Sequence, residues 1–299
     1  AMTRTLVMDN GAHAIKAGYA DDSESGRTIP NSITAGRGDR RSFVGDQLED
    51  CKDYSGLYFR LPFERGYLTN WDVEKDVWDR VFSKQVLKCV PSEVSLMITE
   101  PCFNPPNIQQ TYDEMVFEEY GFEAYHRSIA PKLCQYANVS EENPPSECMI
   151  VVDSGYSFTH IVPFCEGKPI QSAIKRINLG GKLLTNHLKE VVSFRYWNMM
   201  DETYLMNEIK EQCCYVTQNI SVDFSISKSQ TPENSILQRY VLPDFSTKKQ
   251  KMQASQYDIR PHNQDSNDAP LSEDDQVLNM NNERFTIPEI LFHPSDIGI

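Results

Sequence analysis

Two short stretches of the sequence repeat one pattern, residues 6–11 (LVMDNG) and residues 150–155 (IVVDSG). Each is an apolar, strand-prone run that ends in Asp, a small polar residue and Gly. A second candidate strand follows each of them, at 14–19 and at 159–164. Because Asn-Gly and Ser-Gly supply the positive-φ positions of a tight turn, both stretches predict a β-hairpin.

The interpretation of these turns depends on their repetition. One such stretch alone is more often an ordinary hairpin whose Asp caps the turn, since short motifs match by chance. Two copies favour a pair of facing turns, because the amides of each turn can point together at an anion. The turns would clamp a phosphate chain in a cleft between two related domains. The carboxylates of Asp9 and Asp153 would then hold the waters of a Mg²⁺ ion.

The length and charge of the chain limit the function. Its 299 residues suit two domains, which we place at residues 1–135 and 136–299. The formal charge of −14 argues against strong direct binding to nucleic acid, because phosphate contacts are made by clustered cations.

Cysteine spacing and hydropathy give further limits. The eight cysteines form no Cys-x-x-Cys pair, so neither a metal site nor a disulfide framework is predicted. Residues 1–16 show no signal peptide, and no apolar run is long enough to span a bilayer. We therefore expect a soluble intracellular protein without a membrane partner.

Strand and helix patterns alternate along the first half, which predicts the α/β class. A polar, turn-rich excursion at about 21–66 follows the first hairpin. Thr69 and Asp72 have the spacing of a capping box at the start of a helix. A buried strand at 94–99 and a helix at 108–120 come next.

The second half repeats the theme. A strand at 174–179 precedes Gly180-Gly181, a pair that opens a helix. Free amides at that helix start favour an anion, but a helix entry without a ligand is equally consistent with the pair. Residues 246–282 predict a flexible insert, because few large apolar residues are available to offset the entropy of ordering. Pro288 suits the first turn of a final helix.

Six blocks of the sequence, taken in order, resemble the actin family. They are residues 7–11 with 16–19, 66–72, 98–101, 152–155 with 159–160, 209–211 with 214–216, and 282–285. The resemblance implies a two-domain actin-like fold, of the ribonuclease H-like ATPase type, with a central cleft. It also implies that the family's third glycine-rich segment would lie beyond Ile299, so we expect a C-terminally truncated fold with uncovered apolar surface.

Four stretches resemble a nuclear subfamily of actin-related proteins, at 153–163, 178–190, 240–247 and 288–292. Members of that subfamily are subunits of SWR/SRCAP-type chromatin remodellers, which exchange histone two-A for its Z variant with the ATPase of a different subunit. The resemblance implies a scaffold role that affects transcription. Its partners would be other remodeller subunits, with nucleosomes or histones reached through the complex, in the nucleus and as a second location the cytoplasm.

Departures from the actin pattern imply that hydrolysis is slow or absent. Actin has a small hydroxyl residue and a glycine where this chain has Ala12 and His13, and Tyr156-Ser157 replaces the Asp-Gly step of the second turn. Ala130 falls where actin has the glutamine that positions the attacking water, and alanine can neither orient nor polarise water. No catalytic residue is therefore assigned, and His160 is interpreted as a structural group.

Ligand-binding positions are carried over from the resemblance one residue at a time, for ATP with Mg²⁺. They are Asp9, Gly11 and Lys16 for the first phosphate turn, Asp153 and Gly155 for the second, Gly181 for the sugar, and Lys210 and Glu211 for the base. No residue is assigned as a direct metal ligand.

Two other functions stay open on the sequence. An ATPase of the same architecture is supported by both Asp-containing turns and by Lys16. A filament-forming cytoskeletal actin is less favoured, because the excursion and the insert alter surfaces that subunit stacking would need. The insert itself is either a solvated linker or an arm that folds on a partner.

Overall fold

The computed structural model describes residues 4–22, 26–37, 41–137, 147–230, 233–242, 259–261 and 276–299. The chain divides into two compact units. Unit 1 comprises residues 1–35, 41–48 and 59–181, and unit 2 comprises residues 36–40, 49–58 and 182–299. Both Asp-containing turns thus belong to unit 1, whereas the domain boundary at about residue 135 stays a prediction from length.

Unit 1 combines strands with a few helices. Its helices are α1 (Trp71–Phe82), α2 (Pro106–Glu114) and α3 (Ala130–Leu133). Its strands, with β6 at its border, are β1 (Arg4–Asn10), β2 (Ala14–Tyr19), β3 (Arg27–Pro30), β4 (Ile33–Ala35), β5 (Ser42–Val44), β6 (Tyr58–Arg60), β7 (Phe63–Glu64), β8 (Tyr67–Leu68), β9 (Val94–Glu100), β10 (Ala124–Ile129), β11 (Cys148–Ser154), β12 (Thr159–Cys165), β13 (Lys168–Pro169) and β14 (Lys175–Ile177).

The main sheet of unit 1 has five strands in the order β10-β9-β1-β2-β3. The central strand β1 runs antiparallel to β2, with Asp9 opposite Lys16, and parallel to β9, with Met8 opposite Ile98. Alternate residues of β1 face the core, where Met8 is fully buried in one apolar cluster with residues of α1. Strand β3, within the segment expected to be an excursion, pairs with β2 in this sheet.

Helix α1 forms where the apolar stripe predicted it, but its cap differs from the prediction. The side chain of Asn70, and not Thr69, accepts a hydrogen bond from the amide of Val73 at 3.2 Å. Thr69 instead donates its backbone amide to the carbonyl of Pro62 at 3.0 Å, which places it before the helix. The capping box assigned to Thr69 and Asp72 is therefore wrong, because the turn before α1 already uses Thr69.

Helix α2 begins two residues before the predicted start at 108, with Pro106 in its first turn, where a missing amide costs nothing. It continues as a π-helical turn at Met115–Glu119, so the predicted end at 120 is close.

The second hairpin of unit 1 pairs β11 with β12 in the antiparallel register that places Asp153 opposite His160. Strand β12 also pairs with β13 and β14, so β11 lies at the edge of this sheet among the described residues. Two apolar side chains of β11, Ile150 and Val152, are 69% and 63% exposed. The edge thus presents an apolar face to solvent.

Unit 2 contains α4 (Gly181–Arg195, its first residue at the border), α5 (Thr203–Cys213), α6 (Ile220–Ser227), α7 (Glu283–Glu289), β15 (Gln238–Val241), β16 (Ile259–Pro261) and β17 (Val277–Met280). The predicted stripe of α5 is confirmed, because Leu205, Ile209 and Cys213 are buried. Among the residues described in both units, none of the helices has the length and apolarity needed to cross a bilayer.

The insert predicted at 246–282 is wrong at its C-terminal bound. Strand β17 lies inside that range and pairs with β15, with Leu278 opposite Tyr240, and both side chains are fully buried. Strand β16 pairs with the other edge of β15. Strand β16 thus also lies inside the predicted insert, and residues 246–258 and 262–275 lie outside the described residues.

Pro288 lies inside α7 and not in its first turn, which corrects the prediction. A proline there cannot donate to the carbonyl of Arg284, four residues earlier. That carbonyl instead accepts the amide of Tyr215 at 2.9 Å, so its hydrogen bond is kept. With sheets and helices in both units, the predicted α/β class is confirmed.

Candidate functional site

The first turn joins β1 to β2 and is fixed from behind by β9. The Thr99 hydroxyl donates to Asp9 Oδ1 at 2.6 Å and accepts the amide of Asn10 at 3.1 Å. The Gly11 amide donates to the carbonyl of Asp9 at 3.1 Å. A Cβ on Gly11 would lie 2.6 Å from the carbonyl oxygen of Ala14, so only glycine fits there.

A buried polar network lies behind this turn. Asn10 Nδ2 donates to Glu74 Oε1 at 2.6 Å and to the Tyr112 hydroxyl at 3.0 Å, and Trp78 Nε1 donates to Asn10 Oδ1 at 3.4 Å. Asn31 supports the tip, because its side-chain amide donates to the carbonyl of Gly11 at 3.1 Å. The conformation of the first turn therefore depends on side chains that are far apart in the sequence.

Glu74 is a buried carboxyl that the sequence analysis missed. It is fully buried, and burial raises its pKa to about 7 although Asn10 hydrogen-bonds to it. Glu74 Oε2 and Asn31 Oδ1 are both buried without a hydrogen-bond partner. Both are acceptors when Glu74 is ionised, so a proton on the carboxyl would allow them to pair. The signal in the sequence was the position of Glu74 four residues before Trp78, on the buried face of α1.

Glu74→Gln is expected to stabilise the chain more at pH 8 than at pH 5. The carboxyl ionises near pH 4.5 in the unfolded chain and near 7 in the fold, so its contribution to stability is complete below pH 4.5. It is lost as the pH rises to 7, by about 3 kcal/mol in all. The gain of the Gln variant over the unchanged chain should therefore be about 2 kcal/mol larger at pH 8, measured by urea unfolding.

Glu118→Gln is the matched control for this prediction, because Glu118 is exposed on the same unit. It should change the stability by the same small amount at both pH values. An equal effect of Glu74→Gln at both pH values would contradict the assignment of a raised pKa to Glu74.

The second turn joins β11 to β12 and is held by the residues that lead into α4. The Gly155 amide donates to the carbonyl of Phe158 at 2.9 Å, and the Gly181 amide donates to the carbonyl of Gly155 at 2.9 Å. The Thr159 hydroxyl donates to the carbonyl of Leu179 at 2.8 Å. The Gly180-Gly181 pair thus acts here through backbone packing against the second turn.

The two turns line one cavity of about 280 Å³ in unit 1. Five of the predicted ligand positions lie in its wall, which are Asp9, Gly11, Lys16, Asp153 and Gly155. Gly181 does not line the cavity, but its amide donates to the carbonyl of Gly155 in the wall. The pairing of the two turns that the repeated sequence predicted is therefore present within unit 1.

The charged groups of this cavity are the carboxylates of Asp9, Glu100 and Asp153 and the ammonium of Lys16. Lys16 Nζ lies 3.8 Å from Asp9 Oδ2, and both side chains are largely exposed, so this ion pair adds little stability. Burial raises the pKa of Asp153, and the charge of Asp9 raises it further, while Lys16 opposes both effects. Two carboxylates could order the waters of a Mg²⁺ ion. Within the described part of the chain, no group of three or more His, Cys, Asp and Glu residues converges to bind a metal directly.

The rings of His13 and Tyr156 stack on each other and join the tips of the two turns. Their centroids are 4.9 Å apart and their planes differ by 29°. Both residues line the cavity, and we call them the ring pair. The amides of Gly11 and Gly155 are already used within their own turns. A phosphate chain held between the tips of the turns would therefore meet the stacked rings of the ring pair.

Ala130 and His160 also line the cavity. Burial, with a smaller contribution from the charge of Arg176, lowers the pKa of His160 to about 4, so its imidazole is neutral at pH 7. The ring packs against Phe158, with centroids 4.3 Å apart, and its Nε2 is buried without a hydrogen-bond partner. Ala130 offers no polar atom on its side chain. Ala130 therefore cannot orient a water, and the buried imidazole of His160 is neutral at pH 7.

Lys210 and Glu211, predicted for the base, lie on α5 in unit 2. Lys210 Nζ donates to the Thr185 hydroxyl at 2.9 Å and to Asn207 Oδ1 at 2.8 Å, and burial lowers its pKa. Glu211 is exposed and accepts the side-chain amide of Asn207 at 2.7 Å. Within unit 2 the contact of Lys210 with Thr185 fastens α5 to α4, whereas the contacts with Asn207 lie within α5.

Comparisons with known proteins point to one family over nearly the whole chain. The family described as Actin matches residues 1–299. The chain is 46% identical over 305 residues to the actin-like protein ARP6 of Cryptococcus neoformans var. neoformans serotype D (strain B-3501A), covering 98% of this chain and 62% of that protein. It is 41% identical to actin-related protein 6 of Drosophila melanogaster, covering 98% and 73%. It is 39% identical to the actin-like protein ARP6 of Yarrowia lipolytica (strain CLIB 122 / E 150), covering 98% and 70%. The chain thus spans 62% to 73% of the length of these curated relatives.

Proposed function

Because the chain belongs to the actin family, we propose that it is a scaffold subunit without catalytic activity in a nuclear chromatin-remodelling complex. The complex would exchange histone two-A for its Z variant, driven by the ATPase of another subunit, and so affect transcription. The relatives named actin-related protein 6 support this proposal, since several sequence blocks resemble that subfamily. Other remodeller subunits would be the direct partners, and nucleosomes or histones would be reached through them.

The ring pair is the observation that carries the proposal. An actin-type ATPase needs open space between its two turns for the phosphates and an oriented water beside the last of them. Here the stacked rings of His13 and Tyr156 join the tips of the turns, and Ala130 lies in the cavity wall without a polar side chain. The two turns keep a fixed conformation, because hydrogen bonds hold both in place. A rigid surface for neighbouring subunits is the function that such an arrangement serves.

Purification of the complete protein from nuclear extract tests the scaffold role. We expect remodeller subunits to co-purify with it at a constant ratio, and to do so equally in the presence and absence of added ATP. Recovery with cytoskeletal partners, or pelleting as filaments under polymerising salt, would contradict the proposal.

Single-turnover hydrolysis separates the scaffold from an actin-like ATPase of the same fold. The two Asp-containing turns and Lys16 favour that second candidate. With enzyme in excess over labelled ATP and Mg²⁺, we expect no phosphate release above the rate of a buffer blank. Release that is abolished by Asp153→Asn would instead establish the ATPase.

A further inference from the structure

Two cysteines face each other at the open end of the second hairpin. Cys148 begins β11 and Cys165 ends β12, and the strand register places them directly opposite. Their Sγ atoms are 3.5 Å apart, and both side chains are exposed. The hairpin thus has a thiol pair at one end and the second turn of the cavity at the other.

The backbone register fits a disulfide between them. Glu166 donates its amide to the carbonyl of Glu147 at 2.6 Å, so these neighbours form a hydrogen-bonded pair of the ladder. Hydrogen-bonded and non-hydrogen-bonded pairs alternate, which makes Cys148 and Cys165 a non-hydrogen-bonded pair. Such pairs have Cα atoms about 4.5 Å apart, at the short end of the range that a disulfide spans.

We propose that Cys148 and Cys165 form a reversible disulfide that fastens the open end of the β11–β12 hairpin. This modification site is independent of nucleotide and of the ring pair. An exposed disulfide of this kind is accessible to small thiols, so it can be made and broken without unfolding.

The reaction needs a disulfide as oxidant, and glutathione disulfide is the class that we name. One cysteine thiolate attacks a sulfur of glutathione disulfide, forms a mixed disulfide and releases one glutathione. The second thiolate then attacks the protein sulfur of that mixed disulfide, forms the Cys148–Cys165 bond and releases the second glutathione. Two protein thiols have then lost two protons and two electrons, and one glutathione disulfide has become two glutathione molecules.

The closed hairpin would restrain the strand that carries the second turn. Strand β11 is an edge strand with a partner on one side among the described residues, so it can separate from β12 more easily than a central strand. At the turn end the Gly155 amide already bonds to Phe158. A covalent bond at the other end would leave neither end of β11 free to open.

The rate of closure should rise with pH. The contact with Cys165 raises the pKa of Cys148, with the nearby carboxylates of Glu147 and Glu166 as smaller causes. The thiolate, which is the attacking form, is therefore scarce at neutral pH.

Mass spectrometry of the folded chain tests the proposal. After incubation with glutathione disulfide at pH 8, peptides that contain Cys148 and Cys165 should appear joined and lighter by two hydrogens. Excess glutathione should return both to thiols. Cys134 is the matched control, because it is exposed but has no cysteine opposite it in a strand, and it should carry glutathione instead.

Cys148→Ser should leave Cys165 with a stable glutathione adduct, and Cys165→Ser should do the same for Cys148. Hydrogen exchange of the amides of β11 should become at least tenfold slower in the oxidised chain than in the reduced chain. A glutathione adduct on both cysteines of the unchanged chain, or exchange that oxidation does not alter, would overturn the proposal.

Discussion

Replacing both members of the ring pair, His13→Gly together with Tyr156→Gly, is expected to raise the affinity of the chain for ATP at least tenfold. In the unchanged chain a phosphate chain between the turns would have to separate two stacked rings, an interaction of about 1 kcal/mol, and then find room beside them. Removing the rings removes both costs. A tenfold change corresponds to about 1.4 kcal/mol, which the stacking energy and the freed space together exceed.

The affinities are measured by isothermal titration calorimetry with ATP and with ADP in the presence of Mg²⁺. Tyr156→Phe is the matched control, because it keeps a ring that can stack on His13 and should bind as weakly as the unchanged chain. Thermal unfolding of each variant shows that the turns still fold. Equal affinities in the double variant and the unchanged chain would refute the role of the ring pair in excluding phosphates.

Gly180→Ala is expected to destabilise the chain by about 3 kcal/mol and to disturb the second turn. A Cβ at residue 180 would lie 2.6 Å from the carbonyl oxygen of Gly155, 2.7 Å from that of Tyr156 and 2.8 Å from the amide nitrogen of Phe158. All three are backbone atoms, so no side chain can rotate away to relieve the contact. Overpacking of this kind costs about 1–3 kcal/mol, and contacts with rigid backbone belong to the upper end of that range.

Gly155→Ala is the control within the same turn. Its Cβ would meet only the carbonyl oxygen of Phe158, at an ordinary van der Waals distance of 3.7 Å, so its cost should stay below about 1 kcal/mol. Urea unfolding at one pH compares the two variants. Which variant loses more stability is informative, because the family pattern assigns Gly155 to ligand binding and gives no such role to Gly180. A larger loss in the Gly155 variant would contradict this account of the packing.

The hairpins were predictable from the sequence because their signals are local. An apolar run, a short gap and a second run define β1 with β2 and β11 with β12, and the structure has these strands within one residue of the predicted bounds at the turn. The positive φ predicted for Asn-Gly and Ser-Gly is wrong, because each loop has four residues and neither dipeptide is in the left-handed region. The apolar stripes of α1 and α5 predicted these helices correctly for the same reason, because the stripe is a local pattern. Thr69 failed as a cap because its hydroxyl donates to the carbonyl of Pro62 and Asn70 takes the cap position, which the local sequence does not reveal.

The candidate site was predictable in its parts but not in its assembly. His13 and Tyr156 were each recognised as departures from the actin pattern, yet their contact depends on packing between segments that lie half a chain apart. The buried position of Glu74 was missed for the same reason, since its hydrogen-bond partner Asn10 is on a different element. Strand β17 was assigned to the insert because it is short and its buried face is defined only by pairing with β15. Contacts between residues that are far apart in the chain are the hardest to predict from a single sequence.

The ring pair also has a consequence for the cell. An actin-like subunit that takes its shape from bound ATP changes shape when the ratio of ATP to ADP falls. Here aromatic side chains, which no metabolite supplies or removes, connect the two turns. In the remodelling complex proposed above, assembly should therefore not depend on the ratio of ATP to ADP, and control would have to come from other components.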